Sequence, residues 1–230
     1  SATQRITEAG GTITYTATLS VASTSGNVVV GLSNGQTITV LQGQVTGSVN
    51  VIVASEDDAI VDVHDISAVI DSVVNKGNLE QLDINPAPAI TTVNDTLDVR
   101  QVNLSVDNTA IDEGGATLIY SVTLTDGTNI VNADADIVVT ITTPDGMTHD
   151  VMIVAGSSSA SYSYAAAAND SLPAGDVVTL TASVAIKSTA SAYEHLTVGT
   201  ADALTTMTGI NDNAVITGTA TASLTESNAA

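Results

Sequence analysis

The chain has 230 residues, with 25 Asp plus Glu against 4 Lys plus Arg, for a formal net charge of −21. A chain this negative repels nucleic acid and anionic lipid, which excludes phosphate-backbone binding. Hydrophobic residues make up 43%, with no Cys, Trp or Phe. A core must therefore be built from Val, Ile, Leu and Ala without disulfides, and a thin β-sandwich suits such side chains.

The expected elements are all strands. Thr12–Leu19 alternates with period 2 and places Ile13, Tyr15, Ala17 and Leu19 on one face. Val49, Val51 and Val53 mark a second strand, and Ile66, Ala68 and Ile70 a third. In the second half, Thr117–Leu124 repeats the first pattern, and Tyr162 and Tyr164 open another strand that the Ala165–Ala168 run continues. Thr on the opposite faces is a good solvent-side strand former. Asn34-Gly35, Asp126-Gly127 and Asp145-Gly146 interrupt the runs as turns. No apolar run approaches the length of a membrane-spanning helix, so direct membrane insertion is not expected. No signal peptide appears and residue 1 falls within a patterned segment, so the chain reads as a piece of a longer protein.

An internal repeat organises these strands. Ile6-Thr7-Glu8-Ala9-Gly10-Gly11 recurs as Ile111-Asp112-Glu113-Gly114-Gly115-Ala116, at an offset of 113 − 8 = 105. Leu224-Thr225-Glu226 opens a third copy, at 226 − 113 = 113. Ser1-Ala2-Thr3 lines up with Thr219-Ala220-Thr221 at an offset of 218. The expected fold is all-β, as tandem immunoglobulin-like β-sandwich domains. Residues 1–98 form repeat 1, 99–212 form repeat 2, and 213–230 begin a third repeat or form an ordered tail.

Acidic residues recur at three places in each copy. Copy one has Glu8, then Asp57 and Asp58 beside Glu56, then Asn94-Asp95 followed by Asp98. Copy two has Glu113, then Asn169-Asp170, then Asn211-Asp212. Loops of an antiparallel sandwich gather at two poles, so these groups can meet. Calcium takes six to eight oxygen ligands, which carboxylates, amide carbonyls and backbone supply. Without a cation, two unit charges ~4 Å apart in a partly screened setting cost about 4 kcal/mol. The expected metal ligands are Glu8, Asp57, Asp58, Asp95, Asp98, Glu113, Asp170, Asn211 and Asp212, with Ca2+ as the ion. Asn169 stands where copy one has an Asp, so the second site is the weaker. Asp134-Ala135-Asp136 lacks the Gly and Glu of a calcium loop and reads as a solvated turn.

The order Glu-x-Gly-Gly, strand, Gly-x-x-x-x-Ser, Asp-Asp, and a strand ending Asn-Asp resembles Calx-beta-type repeats. It is similar in particular to the extender repeats of large bacterial RTX adhesins, which are type I-secreted biofilm proteins. Val215–Thr221 resembles the opening of repeats called VCBS. The resemblance implies calcium at domain ends and linkers, stiffening an extracellular rod on the bacterial cell surface. Its partners are then calcium ions and neighbouring repeats of the same chain. The glycine-rich RTX nonapeptides themselves are absent.

Other chemistries find little here. His64, His149 and His195 show no metal-ligand spacing, and Glu194-His195 reads as a surface strand pair. No nucleophile elbow or phosphate loop occurs, so no enzyme is expected. The alternative is a carbohydrate- or cell-surface-binding module, for which Tyr162, Tyr164 and Tyr193 are the candidate patch. The expected function is a calcium-stiffened structural extender that projects a terminal binding domain. The fragment is expected to be monomeric, with end-to-end or edge contact through residues 213–230.

Overall fold

A computed structural model describes residues 1–187 and 192–211. Eight strands occupy the first repeat: β1 (Arg5–Thr7), β2 (Gly11–Thr18), β3 (Val28–Leu32), β4 (Thr37–Val40), β5 (Thr46–Val53), β6 (His64–Ala68), β7 (Ile70–Lys76) and β8 (Ala89–Asn94). Nine occupy the second: β9 (Val99–Val106), β10 (Ala110–Asp112), β11 (Ala116–Thr125), β12 (Ile137–Thr142), β13 (Thr148–Ile153), β14 (Ser159–Ala166), β15 (Val177–Ile186), β16 (His195–Val198) and β17 (Asp202–Thr208). Every regular element among the described residues is a strand, so the chain is all-β.

The second repeat is a two-sheet sandwich. One sheet runs β10-β17-β15-β12-β13 and the other β14-β11-β9-β16. Alternation sets the interior, as period-2 side chains must. Leu118, Tyr120, Val122 and Leu124 of β11 share one apolar cluster with Ile137, Val139 and Ile141 of β12. Burying each such aliphatic side chain contributes about 1.5–3 kcal/mol. The expected turn at Asp145-Gly146 joins β12 to β13, with the Gly146 N–H bonded to the Thr143 carbonyl at 2.8 Å.

The first repeat follows the same plan with one sheet divided. β1-β8-β6 and β4-β3-β7 are separate, and β2 pairs with β5 alone among the described residues. The alternation through Ile66, Ala68 and Ile70 spans two strands rather than the single one expected. The chain changes sheet at Val69, which exchanges bonds with Ser33: its carbonyl accepts the Ser33 N–H at 2.9 Å, and its N–H donates to Ser33 Oγ at 3.1 Å. β15 takes the equivalent path unbroken, pairing with β17 and then β12. Ile13, Tyr15 and Ala17 of β2 pack in a second apolar cluster with Val28, Val30, Ile38 and Val40.

The repeats touch through the segment after β5. Ile60 pairs with Tyr193 in an antiparallel bridge, and Ala59 is buried in the second repeat's cluster.

Candidate metal centre

Glu8 lies just beyond β1, in a backbone held from three sides. Its N–H donates to Asn94 O at 3.0 Å, its carbonyl accepts from Glu56 N at 2.8 Å, and Gly10 N bonds to Thr7 O at 3.0 Å. Gly10 has φ +84°, and a Cβ there would lie 2.7 Å from Val53 O. The Glu-x-Gly-Gly pattern is thus a turn pressed against the end of β5, and it drives the Glu8 side chain inward. Glu8 is 2% exposed. Its Oε1 accepts from Thr96 N at 2.6 Å and Thr96 Oγ1 at 2.7 Å. Its Oε2 is buried with no hydrogen-bond partner. A carboxylate oxygen so placed pays desolvation without compensation.

Two further carboxylates converge on it. Asp95 follows β8, which pairs in parallel with β1, so both strand ends arrive at the same pole. Asp95 accepts a long bond from Asp62 N at 3.3 Å. Glu194 comes from the second repeat. Its backbone is pinned by Val61 N to Ala192 O at 2.9 Å and Glu194 N to Ala59 O at 3.0 Å. The adjacent Tyr193 is 7% exposed, and its hydroxyl donates to Ala135 O at 2.7 Å and accepts from Ala135 N at 3.0 Å. Glu194 Oε2 accepts from the Asp98 N–H, while its Oε1 is buried without a partner. Ligand oxygens of Glu8, Asp95 and Glu194 lie within 4.8 Å of one another.

The electrostatics match this crowding. Burial pushes the Glu194 carboxyl above its ordinary value of 4.5. The Asp98 N–H opposes that rise, and the charges of Asp95, Glu8 and Asp98 add to it. Among the described residues no ion pair reaches Glu8, Asp95 or Glu194. Arg100 instead meets Asp98 at 3.3 Å and Asp134 at 3.5 Å. Two orphaned buried oxygens and an all-oxygen donor set fit a hard divalent cation, and the group can hold a metal ion.

The remaining expected ligands of copy one stand around this trio. Asp57 Oδ1 is 3.0 Å from Thr96 Oγ1, whose single proton cannot serve both Asp57 and Glu8. Asp58 turns away to cap its own loop, accepting from Ile60 N at 2.7 Å. Asp98 contributes its N–H to Glu194 and its carboxylate to Arg100. Glu56 faces His64 at 3.5 Å.

In copy two, Glu113 is 2% exposed, with Oε1 accepting from Ile210 N at 3.0 Å and Oε2 unpartnered. Asp170 and Asn211 are exposed. Asp212 lies outside the described residues, as does the expected tail at 213–230.

The structure corrects the alignment of the two copies. The Asn169 N–H bonds to Glu113 O at 2.7 Å as the Glu56 N–H bonds to Glu8 O, so Asn169 matches Glu56 and Asp170 matches Asp57. β1 places Thr7 opposite Asn94, and β10 places Asp112 opposite Thr208. Asn94-Asp95 therefore corresponds to Thr208-Gly209, not to Asn211-Asp212. The position of Asp95 is a glycine for a steric reason: a Cβ on Gly209 would lie 2.2 Å from Pro173 O.

Glu194 was not among the expected ligands, and it is not a surface strand partner of His195. Its recurrence as Glu80, at 194 − 80 = 114, is the signal the sequence carries. The tyrosines do not form one patch. Tyr193 is a core residue, while Tyr162 stacks on His149 with ring centroids 4.2 Å apart.

No curated protein matches the chain. Among solved structures, CBD12 from CALX1.2 aligns at 9% identity and a TM-score of 0.35, over 89% of this chain and 96% of that one. The D0-D1 domain of intimin aligns at 15% identity and a TM-score of 0.26, over 90% and 95%. The BSP domain of a biofilm-associated protein aligns at 15% identity and a TM-score of 0.23, over 94% and 30%. In line with the resemblance to adhesin repeats, residues 1–96 match the family model described as the LapA domain, a biofilm adhesin family.

Proposed function

We propose that the chain is a calcium-stiffened extender segment of a long bacterial surface adhesin, working outside the cell. Repeat 1 spans residues 1–98, repeat 2 spans 99–212, and 213–230 begin the next unit. The reading is supported by the LapA match over residues 1–96. The observation that carries it is the meeting of Glu8 and Asp95 from one repeat with Glu194 from the next. A cation held there has ligands on both sides of the joint, so binding it ties the repeats together. Calcium is the ion of choice because every ligand is oxygen and several are anionic. A neighbouring backbone carbonyl, Asp57 and water complete such a shell. Glu113 forms the corresponding buried anchor of a second site, with Asp170, Asn211 and Asp212 as its further candidates.

Binding only to the docked state stabilises it by mass action. Calorimetric calcium titration tests the reading, paired with X-ray scattering in calcium and in chelator. Saturable binding that is lost in Glu194→Gln, with a longer and stiffer particle in calcium, is expected. Absence of binding, or a scattering profile unchanged by chelation, overturns it.

A further inference from the structure

The two repeats differ in one place that the metal site does not explain. In the second repeat, β9 lies between β11 and β16, antiparallel to the first and parallel to the second. Its Val102 and Leu104 are buried in the core, 0% and 3% exposed. In the first repeat the matching edges are present without a strand between them. Leu19 stands where Leu124 stands, and Gln81–Ile84 stand where β16 stands, yet residues 77–88 carry no strand. The space between them is a cleft of about 770 Å³, walled by Ala17–Val21 and Asn78–Asn85 and floored by Val30, Val40 and Ile70. Ser1 occupies only its end, exchanging bonds with Thr16 at 2.8 and 2.9 Å.

We infer that this cleft is a strand-accepting slot, filled by residues 212–218 of a second copy of this chain. The repeat register selects the segment. An offset of 113 carries Glu113 to Glu226, and it carries Val102 to Val215 and Leu104 to Thr217. The offset of 218 independently brings Thr219-Ala220-Thr221 onto Ser1-Ala2-Thr3. The residues just before Thr219 are thus those that the repeat assigns to the place β9 fills. They follow β17, a strand of the second repeat, so a second copy delivers them to the first-repeat slot. A strand seated there gains main-chain bonds from the β2 edge and from residues 81–84, and its alternate side chains enter the cleft. The contact is heterologous: the tail of one copy meets the head of the next, and the product is an open linear chain of copies.

Sedimentation velocity of the full chain, from low to high micromolar concentration with calcium chelated, tests this independently of the metal reading. The expected result is linear oligomers that grow with concentration and are capped by a synthetic peptide of residues 212–221. Val215→Asp abolishes growth, because Val215 takes the inward position. Ile216→Asp, one residue on and facing outward, leaves it intact. A monomer at every concentration overturns the proposal, as does self-association that Val215→Asp does not change.

Discussion

Ile60 and Tyr193 pair backbone to backbone across the two repeats. This bridge sets the height of Glu194 against Glu8. Ala59 and Val61, on either side of Ile60, take up the remaining bonds, with Glu194 N and Ala192 O respectively. The joint is thus a short stretch of sheet with a carboxylate trio at its rim, and its behaviour can be tested at several points.

Glu194 contributes one of three convergent carboxylates, so Glu194→Gln is expected to weaken calcium binding on the order of tenfold or more, as affinity in such sites follows ligand charge. Asp58→Asn, whose carboxylate caps its own loop at Ile60 N, is expected to change affinity less. Calorimetry on the two variants orders them.

Acid should stabilise the metal-free chain over a defined window. The folded-state pKa of Glu194 is raised, chiefly by burial. A carboxyl raised above its unfolded value binds more protons in the folded state. Its stabilising contribution is therefore gained as pH falls through the folded pKa toward 4.5 and lost as pH rises. Asp126, Asp145 and Asp150 act oppositely, since hydrogen bonds hold them below 3.8, and they withdraw stability only under that value. Thermal melts in chelator are expected to rise on acidification from neutral pH to just above 4.5. Glu194→Gln flattens that slope.

Tyr193→Phe deletes a hydroxyl that both donates to Ala135 O and accepts from Ala135 N. Leaving these groups unmatched in a buried site costs about 1–3 kcal/mol. A lower urea midpoint with an unchanged slope is the expected reading.

Gly10→Ala forces a Cβ onto Val53 O at a left-handed backbone, and Gly115→Ala does the same against Ala166 O at 2.4 Å. Each is expected to destabilise by about 1–3 kcal/mol. Only Gly10→Ala should also weaken calcium binding at the joint, because it displaces Glu8. Denaturation and titration of both variants separate the effects.

Much of this architecture is legible in the residues. Thr-Ile-Thr-Tyr alternation locates β2 and β11 because a sandwich strand has one wet face and one dry. Glu8 and Glu113 stand out because Gly10 and Gly115 recur with them. The sheet change at Val69 leaves no mark, since period 2 continues through it. The Asn-Asp anchor misled because two residues carry too little information to fix register, whereas the parallel pairing of β1 with β8 fixes it through three rungs. Glu194 escaped notice because its role depends on a neighbouring repeat, and periodicity within one repeat does not report on contacts between two.

The first and last edges of each five-strand layer run in the same direction: β1 beside β8, and β10 beside β17. When a chain is pulled by its two ends, such a pair is dragged lengthwise, and its rungs share the load together instead of opening one after another. Glu8 and Asp95 sit immediately after these two strands. An ion bound between them would clamp the pair at the end where slippage must start, so the holding strength of the repeat under tension should rise with calcium.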